Sequence, residues 1–271
     1  MHRCNERSTD MPENELELTP WIAYAGHREV VTRLISSRAA ESLCVLGAGQ
    51  CFDLDLPQLD LHFDRIALVD IAPAEMAKGL AHQGLSNSQS ITTLGKDITE
   101  SAHLFEKLKT TPTDDLIDQI LDRLNNNVVN LDGPYDCVAS TCIVSQLILN
   151  IDQAIGQQHP RFVELIQAVR SAHVQTMLKS LKPGGAGLLV TDFVSSVSLP
   201  ELITTRELAT TVEQALDAGN HFHGLHPTRV ANVFDQKEIG NQLREFKISD
   251  PWRWAMIDRV YACIAFAFRK K

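Results

Sequence analysis

Two glycines and one carboxylate carry the most chemistry in this chain. The apolar run 43–46 ends in Gly47-Ala48-Gly49-Gln50, and a second apolar run, 66–69, ends in Asp70. Glycines at a strand end let the backbone turn tightly and approach a ligand with no Cβ in the way. A carboxylate at the tip of the next strand, about twenty residues on, can accept from both hydroxyls of a ribose. The pair predicts binding of an adenosine-containing small molecule. Gly-x-Gly alone occurs in many strand-to-helix turns, and an Asp here can also cap a helix opening at Pro73. The spacing between the two features makes the signal selective.

A second concentration of chemistry is the stretch Gly219-Asn220-His221-Phe222-His223-Gly224-Leu225-His226-Pro227. A Gly/Pro-bounded loop with three imidazoles can line a substrate pocket. His221 and His223 are then candidate catalytic bases, and Asn220, Phe222 and His226 candidate substrate contacts. His-x-His-x-x-His also suits a metal, but no Cys accompanies it and no metal is assigned. Ser140 and Thr141 follow an apolar run, where their hydroxyls either touch a cofactor or, with Cys142, cap the helical segment 143–149. Trp252 and Trp254 flank Arg253 and read as packing before pocket wall. Tyr24 and Arg28 share one helix face at a spacing of four, which makes Tyr24 a candidate substrate-side lid residue.

These groups need elements to hold them. Pro20 opens a helical pattern through Ile35. Short apolar runs at 43–46, 66–69, 91–94, 135–140 and 187–192 read as buried parallel strands. Helical stripes lie between them, notably 101–127 and 162–181, the latter stopped by Lys182-Pro183-Gly184-Gly185. Alternating strands and helices predict right-handed βαβ units. The runs 246–248 and 261–268 have little helical sequence between them and predict a closing antiparallel pair. The expected organisation is a loose arm over 1–18 and one α/β domain over 19–271, with a helical lid at 19–40 and an insertion at 199–240.

The chain has 271 residues, 25 Lys and Arg against 34 Asp and Glu, and a net charge of −9. An acidic balance with no basic run makes nucleic acid or an anionic membrane a poor partner. No apolar stretch is long enough to span a bilayer, and the polar N-terminal residues show no secretory signal. Six cysteines without a Cys-x-x-Cys pair read as reduced thiols of a cytoplasmic protein. Oligomeric state is not legible.

Gly47-Ala48-Gly49, Asp70, Asp97 and Pro183-Gly184-Gly185, in that order and followed by a C-terminal strand pair, resemble the class I S-adenosylmethionine-dependent methyltransferases. The resemblance covers about 40–195 and the last strands. It implies a Rossmann-like, seven-stranded, mostly parallel sheet with helices on both faces. It implies S-adenosyl-L-methionine as cofactor and a small-molecule methyl acceptor. It implies that Gly47, Ala48, Gly49 and Gln50 cradle the cofactor, that Asp70 takes the ribose, and that Ile71 packs on adenine. Asp97 and Ile98 would meet the adenine edge, with Ser140 and Thr141 beside the cofactor. Val45 stands where the family usually carries an acid, leaving Asp53 or Asp55 for the methionine amino group. A dinucleotide fingerprint would need glycine at Phe52, and a pyrophosphate wants a helix close behind the glycines, where Pro57 delays one. Aminopropyl or aminocarboxypropyl transfer on the same fold, and non-catalytic cofactor binding, are the rival readings.

Overall fold

A computed structural model describes residues 19–38, 40–126 and 129–271. The arm expected at 1–18, with Cys4, lies outside them. The first half of the chain runs α1 (Pro20–Ala23), α2 (Ala25–Ser36), β1 (Ser42–Leu46), α3 (Leu56–Asp60), β2 (Arg65–Asp70), α4 (Pro73–His82), β3 (Ile91–Gly95), α5 (Ala102–Thr110), α6 (Asp114–Asn126) and β4 (Tyr135–Thr141). It continues with α7 (Ile143–Ile155), α8 (Phe162–Ser180) and β5 (Leu181–Ser195). After a 3-10 turn (Pro200–Ile203) come α9 (Leu208–Asp217), α10 (Pro227–Phe234), α11 (Lys237–Gly240), β6 (Leu243–Ile248), β7 (Trp252–Ala255) and β8 (Val260–Lys270).

The strands form one sheet in the order β3-β2-β1-β4-β5-β8-β6, with β7 also on β8. The first five positions are parallel, and β8 lies antiparallel between β5 and β6. The chain leaves β1 for β2 on one side and reaches β4 on the other. That reversal opens a crevice above the carboxyl ends of β1 and β4, where open α/β sheets take ligands.

Alternation along each strand feeds two apolar layers. Leu43, Val45, Ile66, Leu68, Cys137 and Ala139 pack with Val31, Ile35, Leu59 and Met76 from α2, α3 and α4. Cys44, Leu46, Ala67, Val69 and Val138 pack on the other face with Leu104, Ile120, Ile148 and Ile166 from α5 to α8. Both faces are therefore covered, which is why β1 is buried along its whole length and reads as an unbroken apolar run.

Among the described residues the sheet has eight strands, one more than the seven expected. The additional strand is Trp252-Arg253-Trp254-Ala255. The long β8 pairs end to end with two short partners: β6 along 266–270 and β7 along 260–263. Four residues behind a proline give too little alternation to announce a strand. The insertion at 199–240 is mostly helical, and 101–127 holds two helices, α5 and α6. Among the described residues no helix is long and apolar enough to cross a membrane. The five described cysteines are free and buried.

Candidate functional site

At the end of β1 the backbone turns through Gly47 at φ +75° and Gly49 at φ +47°. The N–H of Gly49 donates to Oδ2 of Asp70 at 2.9 Å, and the N–H of Ala72 donates to Oδ1 at 2.9 Å. Asp70 thus ties the glycine turn to the start of α4. A carboxylate has about four acceptor positions, and two backbone donors leave the others for a ligand. Ile71, the next residue, is an apolar side chain left 61% exposed. Ala48 is buried, and Gln50 Nε2 donates to Glu75 on α4. Gly79 of α4 allows this seat, because a Cβ there would lie 2.2 Å from the Gln50 carbonyl oxygen. A glycine inside a helix such as α4 is the kind of sequence signal that marks a close approach.

Asp97 serves α5. Its Oδ1 accepts from the Thr99 N–H and hydroxyl at 2.9 and 2.7 Å, and its Oδ2 from the Ala102 N–H at 2.7 Å. Ile98 packs against the α5–α8 layer. Ser140 is placed elsewhere than the cofactor contact expected. It shares the face of Leu46 and Val138, is fully buried, and its Oγ lies 2.7 Å from His173 Nε2 on α8. Thr141 points to the opposite face and donates to the Gly47 carbonyl at 3.4 Å. The parity of β4 separates the two adjacent hydroxyls.

Of the two acids considered in place of Val45, Asp55 caps α3 by accepting from the Gln58 N–H at 3.1 Å. Asp53 stays partly buried beside Thr141, and burial pushes its carboxyl up to about 6. None of the ion pairs among the described residues involves Asp53. Arg28 acts on it only at longer range, and a desolvated carboxylate next to a glycine turn suits a ligand's ammonium group.

Aromatic side chains fasten the N-terminal helices over this turn. Phe52, at the position that rules against the dinucleotide fingerprint, meets Trp21 at 6.1 Å, Tyr24 at 6.3 Å and His82 at 5.6 Å. The Arg28 guanidinium sits 3.5 Å over the Trp21 ring and donates to the carbonyls of Trp21 and Phe52 at 2.9 and 3.0 Å. Tyr24 also meets Trp254 at 5.2 Å, and burial next to Asp53 pushes its hydroxyl up to about 12. Trp252 Nε1 donates to His27 Nδ1 at 3.1 Å while Trp254 stacks on the same imidazole at 4.5 Å. The two indoles are packing that holds the helical segment down.

On the other side of the β4 and β5 tips lies a cavity of about 490 Å³. Asp192, Ser145 and Tyr261 line it together with Asn220, His221, Phe222 and His223. The loop expected over the carboxyl edge is therefore there. Asp192 is buried, its carboxyl is raised by desolvation, and it accepts from the Ser145 hydroxyl at 2.6 Å. The His221 Nδ1 lies 2.9 Å from the Phe222 carbonyl. That bond requires a proton on Nδ1, so Nε2 of the neutral ring carries the lone pair.

The loop residues do not act alike. Asn220 donates to the Ser198 carbonyl at 2.8 Å, and Phe222 packs on Tyr261 at 6.1 Å. His226, expected at the substrate, accepts from the Thr228 N–H at 3.2 Å and caps α10 outside the cavity lining. His223 faces Phe162 at 6.2 Å, and His221 meets the edge of His226 at 5.0 Å. Among the described residues no three His, Cys, Asp or Glu side chains converge as metal ligands. Asp192, Ser145 and Tyr261 were not singled out as site residues; their only sequence signal is position, just past or beside a strand end.

No family model matches the chain, and no curated protein matches it. Solved structures that align with it include methyltransferases. The N-methyltransferase NodS from Bradyrhizobium japonicum, in complex with S-adenosyl-L-homocysteine, is 14% identical over 94% of this chain and 90% of that one, with a TM-score of 0.46. An O-methyltransferase family protein from Burkholderia thailandensis is 15% identical over 93% of this chain and 57% of that one, at 0.47. The magnesium protoporphyrin IX methyltransferase of Synechocystis, also with S-adenosyl-L-homocysteine bound, is 11% identical over 91% of this chain and 84% of that one, at 0.47.

Proposed function

We propose that this protein transfers a methyl group from S-adenosyl-L-methionine to a small molecule. The observation that carries the reading is the Asp70 carboxylate. It is held by the Gly49 and Ala72 N–H groups at the mouth of the strand-order reversal, with acceptor capacity left for two ribose hydroxyls. Three further features support it. Ile71 offers an exposed apolar face beside Asp70. Asp53 supplies a desolvated carboxylate outside any ion pair among the described residues for the amino group of the donor. The first helix after the glycines, α3, opens only at Leu56, where a pyrophosphate would need a helix N-terminus directly behind Gly49.

When bound, S-adenosyl-L-methionine supplies an electrophilic methyl on a positively charged sulfur. The protein's task is positioning of donor and acceptor, and no triad is required. The cavity over Asp192 holds the acceptor. His221 Nε2 takes the proton that an acceptor hydroxyl, amine or thiol loses as its lone pair forms the new bond to carbon. Asn220 and Phe222 shape the wall, and Tyr24 with the α1–α2 segment covers the donor side.

Calorimetric titration tests the reading. S-adenosyl-L-homocysteine is expected to bind stoichiometrically and NAD to give no heat. Binding of NAD with no response to the sulfur ligand would replace methyl transfer by a dinucleotide function.

A further inference from the structure

Next to the acceptor cavity lies a second one of about 480 Å³, between α8, α10 and the loop 219–226. Its innermost charged group is Arg170 of α8, only 7% exposed. One end of the guanidinium donates to the Gly224 carbonyl at 2.7 Å, and Nε has no hydrogen-bond partner. Gly224 must be glycine for this contact: its φ is +75°, and a Cβ would lie 2.5 Å from Ile166.

The rest of the wall is unusual for so acidic a chain. Arg229 of α10, His223, Gln167, Asn232 and Gln236 line the cavity, and no Asp or Glu does. None of the ion pairs among the described residues involves Arg170 or Arg229. Burial and the neighbouring positive charge of Arg229 push Arg170 down to about 10. A desolvated guanidinium next to a second cation, with an idle N–H, lacks its counter-charge. Arg170 is too far inside for water to serve it as bulk solvent would. Nε belongs to the edge of the fork that grips carboxylate or phosphate side on.

We propose that this cavity binds an oxyanion, a carboxylate or phosphate, carried by the methyl acceptor, with Arg170 and Arg229 as its ligands. Gln157, Phe162 and His223 line both cavities, so a molecule anchored at Arg170 reaches past Phe162 toward Asp192 and His221. The role of the oxyanion as the acceptor's anchor rests on the methyltransferase reading. The anion site itself does not.

Inorganic phosphate and benzoate, titrated calorimetrically at an ionic strength held constant with chloride, probe the site directly. Saturable binding of at least one is expected for the parent protein. Arg229→Gln should weaken it at least tenfold and Arg170→Gln should abolish it. Arg229 is exposed, so its variant reads the site even if Arg170→Gln fails to fold. Heats equal to the chloride blank, or unchanged binding by Arg229→Gln, overturn the site. S-adenosyl-L-homocysteine is titrated into the same samples: its binding without anion binding sinks this proposal alone, and the reverse sinks the acceptor assignment. Finally, tritium passed from labelled S-adenosyl-L-methionine to a small-molecule extract should appear in a product retained on an anion exchanger. A neutral or cationic labelled product overturns the proposal.

Discussion

Oδ2 of Asp70 accepts from the N–H of Gly49 across 2.9 Å, although 21 residues separate the two. The bond makes one carboxylate serve both the glycine turn and a ligand. Asp70→Ala should therefore weaken S-adenosyl-L-homocysteine by about ten- to a few hundredfold, since charge-assisted bonds are worth about 1.5–3 kcal/mol each. It should also lower the melting temperature of the free protein, because Gly49 and Ala72 each lose an acceptor. A free-protein melting point equal to the parent's would mean the turn holds without Asp70.

Asp53 predicts a pH dependence. Its carboxyl, raised to about 6 from an ordinary 3.8, keeps a proton in the folded protein that the unfolded chain has released. Its contribution to stability is thus lost as pH rises from about 4 through 6. A ligand ammonium favours the ionised form, so S-adenosyl-L-homocysteine should bind progressively more weakly as pH falls below about 6. The slope should approach tenfold per unit, and Asp53→Asn should flatten it at a lower affinity. An identical profile in parent and variant would place the amino group elsewhere.

Two buried imidazoles act in the opposite sense. Burial lowers His27 to about 3 and His173 to about 4, both from 6.5. Each contributes stability that is fully present above pH 6.5 and lost as pH falls toward its folded value. Each should add about 1.4 kcal/mol per unit to the slope of unfolding free energy below 6.5. His173→Gln should remove one such increment, as read from urea unfolding at pH 6.5, 5.5 and 4.5.

His221→Ala should lower turnover by about a hundred- to ten-thousandfold, the range of a lost general base. Calorimetry should show product binding within twofold of the parent. His226→Ala should instead cost about 1 kcal/mol of stability through the lost cap on α10, with little change in turnover. If the two variants exchanged phenotypes, the base would be His226.

The parallel strands were legible because they are buried on both faces and so read as unbroken apolar runs, 43–46 and 66–69 clearest of all. The contact between the glycine turn and Asp70 was legible because its parts are local: Gly47, Gly49 and Asp70 sit at strand ends. What escaped was set by parity or by distance. Ser140 and Thr141 are neighbours in sequence, yet the pleat sends one to His173 and the other to the Gly47 carbonyl. β7 needs only four residues because β8 templates it. Arg170 is one polar position among many on the long helix α8; only the folded loop over it reveals that it is enclosed.

The Trp252–His27 bond joins positions 225 apart. Contacts that distant form late, since the intervening chain must be ordered before they repay loop closure. During synthesis, at about 5–20 residues per second, the segment carrying Tyr24 and Arg28 would leave the ribosome at least ten seconds before its indole anchors exist. The glycine turn can assemble with β1, β2 and α4 in that interval, but its cover cannot. A growing chain would therefore own the cradle before it owned the roof, and the short strand carrying Trp252 and Trp254 would decide when a ligand, once caught, stays enclosed.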